Sequence, residues 1–169
     1  MQMRSLTLLG ALLVALPVGA AESDFKAMFA KHWQVAREFT LAVAEAMPAE
    51  GYDFKPNAEE MTFGQLMIHI AAQNSDSCAS AAGTKPLAEP AASDRHTAIK
   101  FLSDSFDKCS KELDAMPPEQ LNKEVYKFRG QPVLASEALW YTFTHMAHHR
   151  GQAEVYLRVR NIKPPPWRF

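Results

Sequence analysis

Apolar residues recur along this chain at steps of three and four, the period of a helix that buries one face. Between Glu22 and Met47 they fall at Phe25, Phe29, Trp33, Ala36, Phe39, Val43 and Met47, and Pro48 and Gly51 end the run. A second helix is predicted over 63–82. Thr62 and Gln65 spell a T-x-x-Q capping box, Met61 is placed to staple onto Leu66, and Gly83 follows as a C-terminal stop. The third helix begins at Ser93 or Asp94. Its Ile99, Leu102, Phe106, Cys109, Leu113 and Met116 form a heptad-like seam suited to near-antiparallel packing, closed by Pro117-Pro118. Residues 119–133 lack the helical period. Val125 to Phe128, then Arg129-Gly130, then Gln131 to Val133 predict a short hairpin or an extended crossover. The fourth helix is predicted from about Leu134 to Arg160, with Asn161 as a left-handed cap and Pro164 to Pro166 beyond it. The fold class is therefore all-α, a four-helix bundle with one longer crossover.

The first 20 residues read as a signal peptide rather than as part of the bundle. Arg4 supplies the positive start, Leu6 to Leu16 is an uncharged apolar run, and Val18 to Ala21 offers small residues for cleavage after Ala20 or Ala21. The run is too short for a comfortable membrane span, and no second run of spanning length follows. The expectation is a bundle domain over 21–169, exported to the periplasm or the medium, with no stable membrane span after cleavage. An oxidising compartment permits a disulfide between Cys78 and Cys109, the only two cysteines. Cys78 stands nine residues beyond His69, about 13.5 Å along a helix, too far to share a metal with it. Composition adds little: 47% hydrophobic and 22% charged residues exclude a disordered chain, and a net charge of −1 leaves no basic footprint for nucleic acid.

The chemistry is concentrated on the fourth helix. Its predicted inner stripe runs Leu134, Ala138, Tyr141, His145, His149, Gln152, Tyr156 and Val159, so it turns from apolar to imidazole and back. His145 and His149 are spaced i, i+4, which puts them on one face within reach of one ion, and neutral imidazole is the commonest metal ligand. A His pair on a solvated face would mean little. On a core-facing stripe, unpaired imidazoles carry a burial cost. His69 is the one His in the apolar run Leu66 to Ile70 of the second helix and is the natural third ligand. His32 is the reserve candidate, His148 is turned about 100° from His149, and His96 at a helix start is read as solvated. Gln65, Gln73 and Gln152 are candidates to orient the ligands, or are simply solvated. Gly151, inside the helix, is consistent with close approach of a neighbouring helix. Three His ligands leave an open position, as in catalytic zinc sites, and imidazole suits Zn, Ni, Cu and Fe alike. No catalytic acid or base is identifiable. Met146 excludes H-E-x-x-H, and no haem-attachment or phosphate-loop motif is present.

Thr62 to Ile70, then Thr144-His145-Met146-Ala147-His148-His149-Arg150-Gly151-Gln152, then Tyr156-Leu157-Arg158 resemble the DinB-like (DinB/YfiT) superfamily, the H-x-x-H-H-R-G-Q stretch being the most specific part. The resemblance extends over about Asp24 to Pro165. It implies a four-helix bundle holding one divalent metal through His69, His145 and His149. Several members of that family are metal-dependent transferases that act with low-molecular-weight thiols, so the resemblance implies a metal-dependent enzyme of thiol-transferase type. An open metal position that holds water adds a hydrolase as the other expectation, either acting on a small-molecule substrate. Export argues against use of the intracellular thiol pool. The alternative is a non-catalytic periplasmic bundle that holds metal, or haem between a Met and a His. A homodimer is compatible with either reading.

Overall fold

The structure is a computed structural model that describes residues 18–169, with side chains from Asp24 onward. The signal peptide expected over 1–20 falls, apart from its last three residues, outside the described residues. Four helices carry the fold: α1 (Val18–Ala46), α2 (Phe63–Ala82), α3 (Arg95–Ala115) and α4 (Ala135–Val159). Strands β1 (Glu124–Phe128) and β2 (Gln131–Leu134) form a hairpin between α3 and α4, after a 3₁₀ turn at Pro118–Asn122.

Local signals in the sequence set most of the boundaries. At the start of α2, Gln65 N–H donates to Thr62 Oγ1 at 3.1 Å, and Thr62 N–H donates to Gln65 Oε1 at 2.9 Å. These bonds satisfy orphan amides reciprocally. Gly83 ends the helix at φ 70°, and Thr84 N–H returns to Ala79 O at 2.9 Å. Asp94 caps α3 by accepting from Thr97 N–H at 3.1 Å. Beyond α4, Asn161 takes φ 59° and Ile162 N–H bonds back to Leu157 O at 2.8 Å. The hairpin turns on Arg129 and Gly130, both at positive φ (49° and 81°), the two-residue geometry that matches strand twist.

The long crossover is the α2–α3 connection, and it decides the topology. It runs back along α2: Leu87 N–H donates to Ser75 Oγ at 2.7 Å, and Ser93 lies against Gly64. A Cβ at Gly64 would stand 1.9 Å from Ser93 O, so only glycine admits this approach. α3 therefore starts beside the start of α2 and runs parallel to it, with Cys78 and Cys109 at disulfide distance (Cα–Cα 5.3 Å). α1 is antiparallel to α3: Lys26 Nζ donates to Met116 O at 2.5 Å at one end, and Arg95 Nη2 donates to Glu45 O at 3.2 Å at the other. α4 is antiparallel to α2, and the helices run up, down, down, up.

The core lies where the four faces meet. Trp33, Phe39, Phe63, Leu66, Leu102 and Phe106 are almost completely buried, as the α1 to α3 stripes predict. Polar ends are satisfied: Trp33 Nε1 donates to Phe106 O at 3.3 Å and Tyr52 Oη to Ala44 O at 2.8 Å. The predicted inner stripe of α4 requires correction. Its buried residues are Ala135, Ala138, Leu139, Thr142, Met146, Ala153, Tyr156 and Leu157, whereas Tyr141 and Val159 are exposed. The helix is rotated by about one residue from the expected setting, because Leu139 and Met146 take the interior. The histidine stripe thereby borders the α2–α4 groove instead of pointing at the bundle axis. Gly151 also differs from expectation: a Cβ there would meet nothing within 4 Å, so no helix approaches it closely.

Candidate metal centre

Three contacts fix the antiparallel register of α2 and α4. Tyr156 Oη donates to Met61 O at 3.0 Å, His69 meets His149, and Thr142 Oγ1 bonds the buried Asn74 Oδ1 at 3.1 Å. That register places His69, on the second turn of α2, opposite the i, i+4 pair on α4. One ring nitrogen from each of His69, His145 and His149 lies within 4.8 Å of the other two. The ring centroids are 4.9, 4.6 and 4.4 Å apart, and the Nε2 atoms of His69 and His149 are separated by 3.2 Å. Ligand nitrogens about 2.0–2.1 Å from a tetrahedral zinc stand about 3.3 Å from one another. The His69–His149 pair already has that spacing.

All three imidazoles are half-buried, and the electrostatics keep the α4 pair neutral. Burial, reinforced by repulsion from His149, His69 and His148, lowers the His145 pKa to about 4. Burial also lowers that of His149, opposed by its hydrogen bond to Gln152. Protons compete with metal for an unperturbed imidazole below about pH 6.5; at His145 that competition is moved well below this value. The Nδ1 of His145 is buried without a hydrogen-bond partner. Three imidazoles that each turn one ring nitrogen to a common point fit a divalent ion, and the group can hold one.

The glutamines divide. Gln152 lies at the centre: its Oε1 is 2.6 Å from His149 Nδ1 and its Nε2 is 3.2 Å from His148 Nε2. Gln65 instead serves the α2 capping box. Gln73 donates to Ser77 Oγ at 2.9 Å and makes no hydrogen bond to a histidine among the described residues. Neither orients a ligand, because in each case a local partner along α2 takes the amide. His148 is exposed and stands outside the trio, joined to it through Gln152 and by an edge-on contact with the His149 ring at 4.8 Å. His32 packs on the Phe169 ring at 4.6 Å in an apolar recess with Phe25, Phe29 and Trp140, away from the centre. His96 is exposed, as expected.

Arg150 is a further residue that holds the centre in place. Its guanidinium lies 4.4 Å from the Phe39 ring centroid and donates to Thr40 Oγ1 at 3.5 Å, pinning the histidine segment of α4 to α1. Its place between His149 and Gly151 is the only sequence signal for this.

Bundle and site together define a helical protein with a three-histidine centre between α2 and α4. The chain belongs to the DinB family, whose profile matches residues 22–167. Solved structures agree on the fold. A DinB-like protein from Bacillus cereus is 21% identical with a TM-score of 0.72, over 83% of this chain and 95% of that one. A DinB-like protein from Bacillus subtilis is 20% identical with a TM-score of 0.69, over 83% and 96%. A conserved Enterococcus faecalis protein is 18% identical with a TM-score of 0.55, over 85% and 97%. No curated protein sequence matches the chain.

Proposed function

We propose that the protein is an exported metal-dependent enzyme that holds one divalent cation through His69, His145 and His149 and acts on a small-molecule substrate, as a hydrolase or a thiol transferase. The observation that carries the reading is the convergence of three imidazole nitrogens within 4.8 Å at the rim of a groove. A structural zinc site is closed by four protein ligands, whereas this group offers three and borders solvent. When bound, the cation supplies Lewis acidity at the open position. The chain's residues hold and orient: Gln152 fixes the His149 ring, the α2 capping box fixes the first turns beneath His69, and Arg150 fixes α4 against α1.

Export rests on the N-terminal pattern and fits the Cys78–Cys109 pair. Among the described residues no helix is long and apolar enough to cross a membrane. The test is elemental analysis and an absorption spectrum of tag-free protein from the native host, with mass spectrometry of its N-terminus. About one divalent metal per chain, no haem band and a start at Ala21 or Glu22 are expected. A haem band without other metal refutes the enzyme reading in favour of a haem-binding bundle, and a chain starting at Met1 refutes export.

A further inference from the structure

The α2–α4 groove does not end at the histidines. One helical turn further along it opens into a cleft of about 490 Å³ roofed by the hairpin. Gln73 and Tyr141 mark the junction. Each is four residues, about 6 Å, from a histidine on its own helix, and the Tyr141 ring lies 5.7 Å from that of His145. Beyond them Tyr126 and Phe128 of β1 form an aromatic wall with Tyr141, and Asp76 of α2 and Glu137 of α4 supply carboxylates.

The charge of this lining is one-sided. Among the described residues, no Lys, Arg or His lines the cleft. Strand alternation turns Lys127 to the opposite face of the hairpin from Tyr126 and Phe128. Arg129 stacks on the Phe128 ring at 5.3 Å without reaching the lining. Asp76 has no hydrogen-bond or ion-pair partner among the described residues. Glu137 uses one oxygen to accept from Leu134 N–H at 2.8 Å and has no other hydrogen-bond or ion-pair partner among the described residues. The Tyr126 hydroxyl registers the same field: burial first, then Tyr141 and Glu137, raise its pKa. Two uncompensated carboxylates beside three aromatic rings attract a cation through both charge and ring quadrupoles. An anionic ligand, including a carboxylate-bearing thiol, meets repulsion there.

We propose that this cleft is the substrate pocket of the three-histidine centre. It selects a small elongated amine whose ammonium group sits between Asp76 and Glu137 and whose apolar or aromatic body lies against Tyr126, Phe128 and Tyr141. Asp76 is about 10 Å along α2 from His69, and Glu137 about 12 Å along α4 from His145, which sets the distance from ammonium to reacting group. The assignment of the reacting end rests on the metal-centre reading; the amine selectivity of the cleft does not.

Calorimetric titration of the full mature chain with 4-phenylbutylamine and with 4-phenylbutyrate tests this, since the two share a skeleton and differ in charge. The amine is expected to bind one per chain, about tenfold or more tighter than the carboxylate, and more weakly as salt is added. The double variant Asp76→Asn, Glu137→Gln keeps an acceptor for Leu134 N–H and so keeps the helix start. It should lose about tenfold in amine affinity, with the thermal midpoint unchanged. Equal or tighter binding of the carboxylate, or undiminished amine binding by the double variant, overturns the proposal. The His149→Ala variant retains the cleft, so the same titration on it separates the two readings. Amine selectivity that persists there supports the cleft whatever the metal content, and selectivity that vanishes there overturns it.

Discussion

Gln152 Oε1 accepts a hydrogen bond from His149 Nδ1 at 2.6 Å. An amide carbonyl can only accept, so Nδ1 carries the proton and the lone pair is left on Nε2, the atom that faces His69. Gln152→Ala should therefore lower metal affinity about 10–100-fold while leaving the three histidines in place. Gln152→Glu, which keeps the acceptor, should restore most of it. Competition titration with a metal chelator measures the affinity, and nitrogen NMR of the His149 ring reports the tautomer. Wild-type affinity in the alanine variant would remove Gln152 from the site.

Loss of any one of the three ligands should cost more than the roughly 100-fold of a supporting residue. Alanine at His69, His145 or His149 is expected to leave purified protein with little metal. Alanine at His148 should leave the stoichiometry near that of the wild type, because His148 is exposed and meets the trio edge-on, ring to ring with His149 at 4.8 Å and through Gln152, without joining the converging nitrogens. Metal content across the four variants decides. Loss at His148 equal to loss at His149 would overturn the assignment.

The Cys78–Cys109 pair closes a loop of 31 residues across the parallel α2–α3 interface. A bridge there should stabilise the fold by about 3–4 kcal/mol in the loop-entropy model. Denatured, unreduced protein should show no free thiol, and reductant should lower the thermal midpoint. Two reactive thiols would exclude the bridge.

Acid should weaken the metal-free protein within a defined window. His145 titrates at about 4 when folded and near 6.5 when unfolded, and His149 is shifted the same way. Between those values the unfolded chain binds more protons, so stability is complete above about pH 6.5 and falls as pH drops toward 4. Chemical denaturation across that range should show the loss, and His145→Gln should reduce its slope. An unchanged slope in that variant would show that His145 does not carry the effect.

The helices, their caps and the histidine trio were legible in the sequence because each is written locally. The capping box at Thr62 and Gln65, the left-handed stops at Gly83 and Asn161, and the i, i+4 spacing of His145 and His149 need only a few neighbouring residues. The family resemblance rested on the same short segments. Tertiary packing decided what local pattern leaves open. α4 carries two adjacent stripes, and only the competition of Leu139 and Met146 for the interior turns the histidines to a groove edge open to solvent. Whether Gln65, Gln73 or Gln152 supports a ligand depended on which amide found a nearer partner, a matter of a few ångströms that no spacing encodes. The parallel run of α2 and α3 follows from the return of residues 83–94 along α2, made possible by the missing Cβ of Gly64. The pairing of Asp76 with Glu137 across one cleft joins residues far apart in the chain. Only the antiparallel register of α2 and α4 and the roof of the hairpin bring their charges to the same place.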